Sequence, residues 1–237
     1  IVERDLPMRE LLIASKRLSE YMHYAINQKH ENIWIAQREG RAKDSDDRTQ
    51  PAILKMMSLG DGGTVIDRLK DLHIVPLSIS YELDPCDFLK AKELQQRRDN
   101  PDFKKGSMDD VISMQTGIMG EKGRIHYHAA PCLDAYLDTL DPKMPKAELY
   151  DAIAEHIDHE IHSHYRLYPD NYVALDMLEG AHNQSAHYTD EDRKAFAGRV
   201  NERLGMIDID GKDEAFLREK LLEMYANPAR NYIKANQ

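Results

Sequence analysis

Residues 35–51, IAQREGRAKDSDDRTQP, follow an apolar pair, end in a proline, and between Arg38 and Arg48 carry four basic residues, four acidic residues and one glycine. The cations are Arg38, Arg41, Lys43 and Arg48. Guanidinium groups grip phosphate oxygens through forked, charge-assisted hydrogen bonds, which a lysine supplies only as a point charge. Gly40 has no Cβ, so its backbone can come close to a ligand. Glu39 can orient an arginine or accept from a hydroxyl. Arg4, two residues after the apolar pair Ile1-Val2, would meet Arg41 on one phosphate if two strand ends lay side by side. The plainer outcome is a solvated turn with ion pairs among Arg38, Asp44, Asp46, Asp47 and Arg48.

Other stretches invite chemistry less strongly. EHIDHEIHSHY (155–165) sets His159 and His162 three apart and Glu155 and His159 four apart, so some could share a metal on one helix face. HEIH is one residue short of the His-Glu-x-x-His of metalloproteases, and surface or interface histidines are expected. His187 and Asp192 have His-x-x-x-x-Asp spacing, but the acids of TDED suit a helix start with Thr189 as cap. RLYPDNY (166–172) reads as a helix break with packed tyrosines. The basic run 90–105 suits a solvated helix face better than a lipid or carrier-protein contact. The two cysteines, Cys86 and Cys132, lack Cys-x-x-Cys spacing and read as thiols in a reducing compartment, with no zinc site.

The elements that must position these residues follow from periodicity. Pro7 opens a helix whose apolar face is Leu11, Ala14, Leu18, Met22 and Ala25. NIWIA (32–36) reads as a strand. Pro51 starts a second helix through Leu59, GDGG (60–63) breaks it, a short helix reaches Lys70, and HIVPLSISY (73–81) reads as a buried strand. Residues 86–120 are helical with an interruption at DNPDFKKGS, and GRIHYHA (123–129) alternates as a strand. From Pro142 the chain reads as all-helical, with Leu149, Ile153, Ile157 and Ile161 as one stripe. The alternation predicts an α/β fold: a largely parallel sheet flanked by helices, with an all-helical C-terminal extension. The expected domains are 1–140 and 141–237, and ligands belong at the carboxyl ends of the strands.

Taken in order, the segments resemble the glycerolipid acyltransferase family, the enzymes that acylate glycerol 3-phosphate or lysophosphatidate. Ile1, Val2 and Arg4 match the apolar stretch ending in arginine. Glu39-Gly40 with Arg41 matches the Glu-Gly-Thr-Arg block, and Ile74-Val75-Pro76-Leu77 matches the apolar strand with proline. GRIHYHAAPCL (123–133) is similar to a late strand of many members, so the resemblance covers about residues 1–133. The third block lacks threonine, which leaves Arg41 and Lys43 both open to the arginine's place, and Arg38 stands where relatives often carry proline. The family's first block, His-x-x-x-x-Asp, supplies a general base and its orienting carboxylate. It is expected upstream of Ile1, in a segment missing from this sequence, so the chain as given is expected to be inactive.

What the resemblance implies is transfer of a fatty acyl group from acyl-CoA or an acyl carrier protein to a glycerol-phosphate hydroxyl in phospholipid synthesis. Arg4, Glu39, Gly40, Arg41 and Lys43 would bind the acceptor, Pro76 would shape an apolar wall, and no metal or redox cofactor would be needed. The rivals are an acyltransferase of an aminolipid and a non-catalytic lipid- or carrier-binding relative. Composition is compatible. The net charge is −10, and residues 141–237 hold 12 basic and 19 acidic side chains, which argues against nucleic acid as a partner. No run of about 18 apolar residues occurs, so the expected location is the cytoplasm, with any membrane contact peripheral and on the inner face.

Overall fold

The computed structural model describes residues 7–38, 42–60 and 62–237. Its elements run Met8–Asn27 (α1), Pro51–Met57 (α2), Val65–Lys70 (α3), Leu77–Tyr81 (β1), Asp87–Asp99 (α4) and Ser107–Met119 (α5). They continue with Ile125–Ala129 (β2), Asp134–Leu137 (α6), Lys146–Ser163 (α7), Pro169–Glu179 (α8), Asp190–Gly205 (α9) and Glu214–Ala235 (α10). The chain divides into two compact units, one of residues 1–41, 48–77 and 129–161, the other of 42–47, 78–128 and 162–237.

In the first unit, Pro7 sits before α1 with φ −53°, and its carbonyl accepts the first helical bond from Leu11 at 2.9 Å. Met22 and Ala25 are buried as the periodicity requires, but Leu11 is 39% exposed. The buried hydroxyl of Ser19 lies 2.8 Å from the carbonyls of both Met57 and Leu59, which satisfies acceptors left over at the end of α2. Thr64 caps α3 in a reciprocal box with Asp67. Leu149, Ile153, Ile157 and Ile161 of α7 are all buried, the stripe their four-residue spacing predicts. The Tyr150 hydroxyl pairs with that of Ser58 at 2.7 Å.

The second unit is built on α8 and α10. Val173, Ala174, Phe196, Leu217, Ala226 and Ala229 are fully buried in its core. Small residues on α8 and α10 let the two backbones approach. Asp87, 1% exposed at the start of α4, sits inside this unit beside Arg203, 3.2 Å from its guanidinium, and accepts from the Tyr225 hydroxyl at 2.9 Å. Helix α5 buries none of its residues, and Met108, Val111, Met114, Ile118 and Met119 are all more than half exposed.

The expected α/β fold with a largely parallel sheet does not form. The chain is 59% helix, and the described residues form one two-stranded antiparallel sheet, β1 against β2. Two causes are visible. NIWIA has strand composition but no strand structure, and its Trp34 is 72% exposed; β propensity is realised only where a neighbouring strand and a covered face exist. HIVPLSISY becomes a regular strand only from Leu77, and its serines, not its apolar residues, point inward: Ser78 and Ser80 are buried while Leu77 and Tyr81 are exposed. Ser80 is satisfied there by the backbone N–H of Arg166 at 2.9 Å. The strand expected at Ile1-Val2 lies outside the described residues. Both helices around the DNPDFKKGS interruption are present, as is β2.

Candidate functional site

Four of the residues expected to bind a phosphorylated acceptor, Arg4, Glu39, Gly40 and Arg41, lie outside the described residues. The segment that follows them does not. Residues 42–47 are fastened to α4, to α10 and to His162, all within the second unit. Lys43 Nζ stands 2.7 Å from Glu93 on α4. The Asp44 carbonyl accepts from Asn227 Nδ2 at 2.8 Å, and Asp46 Oδ1 from Asn231 Nδ2 at 2.9 Å, both on α10. The Asp47 carbonyl lies 3.1 Å from Nε2 of the buried His162 on α7.

Lys43 has a charged neighbourhood. The Glu93 carboxylate is 4% exposed and holds three cations: Lys43 and Lys105 at 2.7 Å on one oxygen, and Arg97 at 3.0 Å on the other. Asp110 stands 3.8 Å from Lys105, so three positive charges meet two negative ones. Burial works against the charge on Glu93, yet hydrogen bonds from Lys105 and Lys43 hold its pKa below the ordinary value. Burial pulls the Lys43 ammonium down, and Glu93 offsets this only in part.

Pro76 is buried immediately before β1. It has no N–H to offer a ladder, and its carbonyl accepts from the Ala130 N–H at 2.9 Å. The same pairing continues from Leu133 N–H to the Ile74 carbonyl at 2.9 Å. It brings together three residues that no local spacing pointed to. His73 ends the turn after α3 with φ +46°, a conformation few non-glycine residues adopt. Its Nδ1 lies 2.7 Å from Asp134 Oδ2. Cys132 completes the group, and one ligand atom from each of the three lies within 4.8 Å of the other two. Burial is the main influence raising the Cys132 thiol pKa; the adjacent Asp134 carboxylate adds to it, while the backbone N–H groups of Asp134 and Leu133 oppose it. The only hint in the sequence was Cys-x-Asp at 132–134; His73 is 59 residues upstream of Cys132, and pairing across that gap has no sequence signal.

Other residues of the candidate stretches make packing, capping and pairing contacts. His156 stacks on Tyr136 at 3.6 Å between ring centroids, and His164 on His128 at 4.0 Å. Asp192 is the reciprocal cap partner of Thr189, while His187 stacks on Tyr172 at 4.2 Å. In the basic run, Lys90 pairs with Asp84 at 2.6 Å and Arg98 with Asp213 at 2.9 Å. No disulfide joins Cys86 and Cys132. Among the described residues no helix is long and apolar enough to cross a membrane.

Comparison of the chain with protein-family models, with curated proteins and with solved structures finds no match.

Proposed function

We propose that this chain carries the acceptor-binding part of an acyltransferase that moves a fatty acyl group from a thioester to the hydroxyl of a glycerol-phosphate-type acceptor. The proposal rests on the order of the blocks around Arg4, Glu39-Gly40-Arg41 and Ile74–Leu77. The observation that carries it furthest is the fastening of residues 42–47 to α4, α7 and α10. A phosphate site gains affinity when its loop is ordered before the ligand arrives, because the ordering entropy is not charged to binding. A loop that had only to be soluble would not need four separate anchors. The excess of positive charge around Glu93 favours an anionic partner.

In this mechanism Arg4 and Arg41 hold the phosphate by forked hydrogen bonds, Glu39 orients a guanidinium or a glycerol hydroxyl, and Gly40 admits the ligand to the backbone. The ammonium of Lys43 is held by Glu93. Pro76 shapes the wall beside the acyl chain. Deprotonation of the acceptor hydroxyl belongs, in the family this chain resembles, to the His-x-x-x-x-Asp block.

Calorimetric titration with sn-glycerol 3-phosphate, with glycerol as control, tests the reading. Saturable binding of the phosphate ester alone, weakened about tenfold or more by Arg4→Ala or Arg41→Ala, is the expected result. Equal responses to the ester and to glycerol, or unchanged affinity in both arginine variants, would overturn it.

A further inference from the structure

We infer that His73, Cys132 and Asp134 form a binding site for a divalent, thiolate-tolerant metal ion of the zinc class. The inference is independent of the acyl-transfer reading and concerns a different group of residues.

Three observations carry it. The first is donor chemistry: one sulfur, one imidazole nitrogen and one carboxylate oxygen, all within 4.8 Å of one another. Zinc takes these three ligand types at about 2.3, 2.0–2.1 and 2.0–2.2 Å, so ligand atoms on a tetrahedron stand about 3.3–3.6 Å apart. Small side-chain rotations close the difference. A hard cation such as magnesium or calcium would prefer oxygen ligands throughout, whereas a mixed sulfur, nitrogen and oxygen set selects a borderline ion.

The second observation is that the cluster is built by the fold. The paired backbones of 74–76 and 130–133 hold His73 against the Cys132–Asp134 turn through the 2.9 Å bonds of Ala130 and Leu133. His73 adopts φ +46° in the process.

The third is the state of Asp134. One of its oxygens faces His73 at 2.7 Å, while the other, Oδ1, is shielded from solvent and makes no hydrogen bond of ordinary length among the described residues, the Cys132 thiol being the donor that acts on the carboxylate. A thiol is a weak donor to a carboxylate oxygen, and a cation would satisfy that oxygen more fully. Lys70, which feels the Asp134 charge, is itself engaged with Asp138 at 2.5 Å. The His73 side chain is 65% exposed, so the cluster is open to solvent. Metal binding takes the thiolate of Cys132 and releases its proton, so affinity would fall as the pH is lowered.

The test is titration of the chelator-stripped protein with cobalt(II) and then zinc(II), each metal alone. One equivalent of cobalt should produce a thiolate-to-metal charge-transfer band, and zinc should displace it. Cys132→Ser should abolish the band, His73→Ala and Asp134→Asn should weaken binding, and Cys86→Ser should leave it intact. Thermal melts in metal-free buffer identify variants that fold. Should Cys132→Ser fail to fold, zinc protection of Cys132 from alkylation in the unaltered chain, read by peptide mass, replaces it. No charge-transfer band, a band that survives Cys132→Ser, or alkylation of Cys132 unaffected by zinc would each overturn the assignment.

Discussion

Asn231 on α10 donates its side-chain amide to Asp46 at 2.9 Å, a bond that spans 185 residues of sequence. One turn earlier, Asn227 holds the carbonyl of Asp44. A helix near the end of the chain therefore sets the path of a loop near its beginning. The loop is ordered by partners that its own sequence does not contain.

Asn231 is 6% exposed, and replacing it by alanine leaves Asp46 short of a donor. Hydrogen bonds to charged groups contribute about 1.5–3 kcal/mol. Asn231→Ala should lower stability by about 1–2 kcal/mol in urea unfolding. If residues 42–47 preorganise a phosphate site, it should also weaken binding of sn-glycerol 3-phosphate without touching the ligand.

Glu93 is the buried anion that neutralises Lys43, Lys105 and Arg97. Glu93→Gln leaves three cations facing one another and should cost about 3 kcal/mol, the usual penalty for breaking a buried pair from one side. A double-mutant cycle with Lys43→Met should recover part of the loss. Additive effects of the two changes would show that the pair is not coupled.

Asp87 has the opposite dependence on pH from a salt-bridged surface acid. Burial raises its pKa to about 6 from 3.8, against the pull of Arg203. Between those values the folded chain holds a proton that the unfolded chain has lost, so stability falls as the pH rises through that window. The fall attributable to this residue is about 2–3 kcal/mol. Asp87→Asn keeps an acceptor for Tyr225 and should flatten the stability profile between about pH 4 and about pH 6 relative to the unaltered chain. Parallel profiles for the two proteins would refute this.

Two glycines should respond oppositely to alanine. A Cβ on Gly120 would stand 2.4 Å from Pro85 Cβ and 2.6 Å from the Thr116 carbonyl. Gly120→Ala should therefore cost about 1–3 kcal/mol. Gly198, inside α9, has nothing within 4 Å of that position, and alanine there should stabilise by up to about 1 kcal/mol. Thermal midpoints of the two variants, compared with the unaltered chain, check both signs.

The helices were legible because their signals are local. Pro7, Pro51 and Thr189 mark starts, GDGG and DNPDFKKGS mark stops, and the stripe Leu149, Ile153, Ile157, Ile161 repeats at the period of one helix. Each of these depends on residues within a few turns of one another. Sheet structure does not work this way. NIWIA and HIVPLSISY have strand composition, but whether they pair, and which face is covered, depends on a second segment far along the chain. Of the two, only the second found a partner, and it buried its serines.

The same division holds for the sites. Residue types and order around Glu39-Gly40-Arg41 pointed to phosphate chemistry, because the grip of arginine and the open backbone of glycine are properties of the residues themselves. What fastens the loop beyond them was invisible: Glu93, His162, Asn227 and Asn231 are scattered over the rest of the chain. His73, Cys132 and Asp134 went unread for that reason too. Sequence alone determined most of the helices, though not α6, and which side chains were available for chemistry. Only the tertiary structure decided which of them meet, because long-range contacts depend on loop closure and packing and not on local spacing.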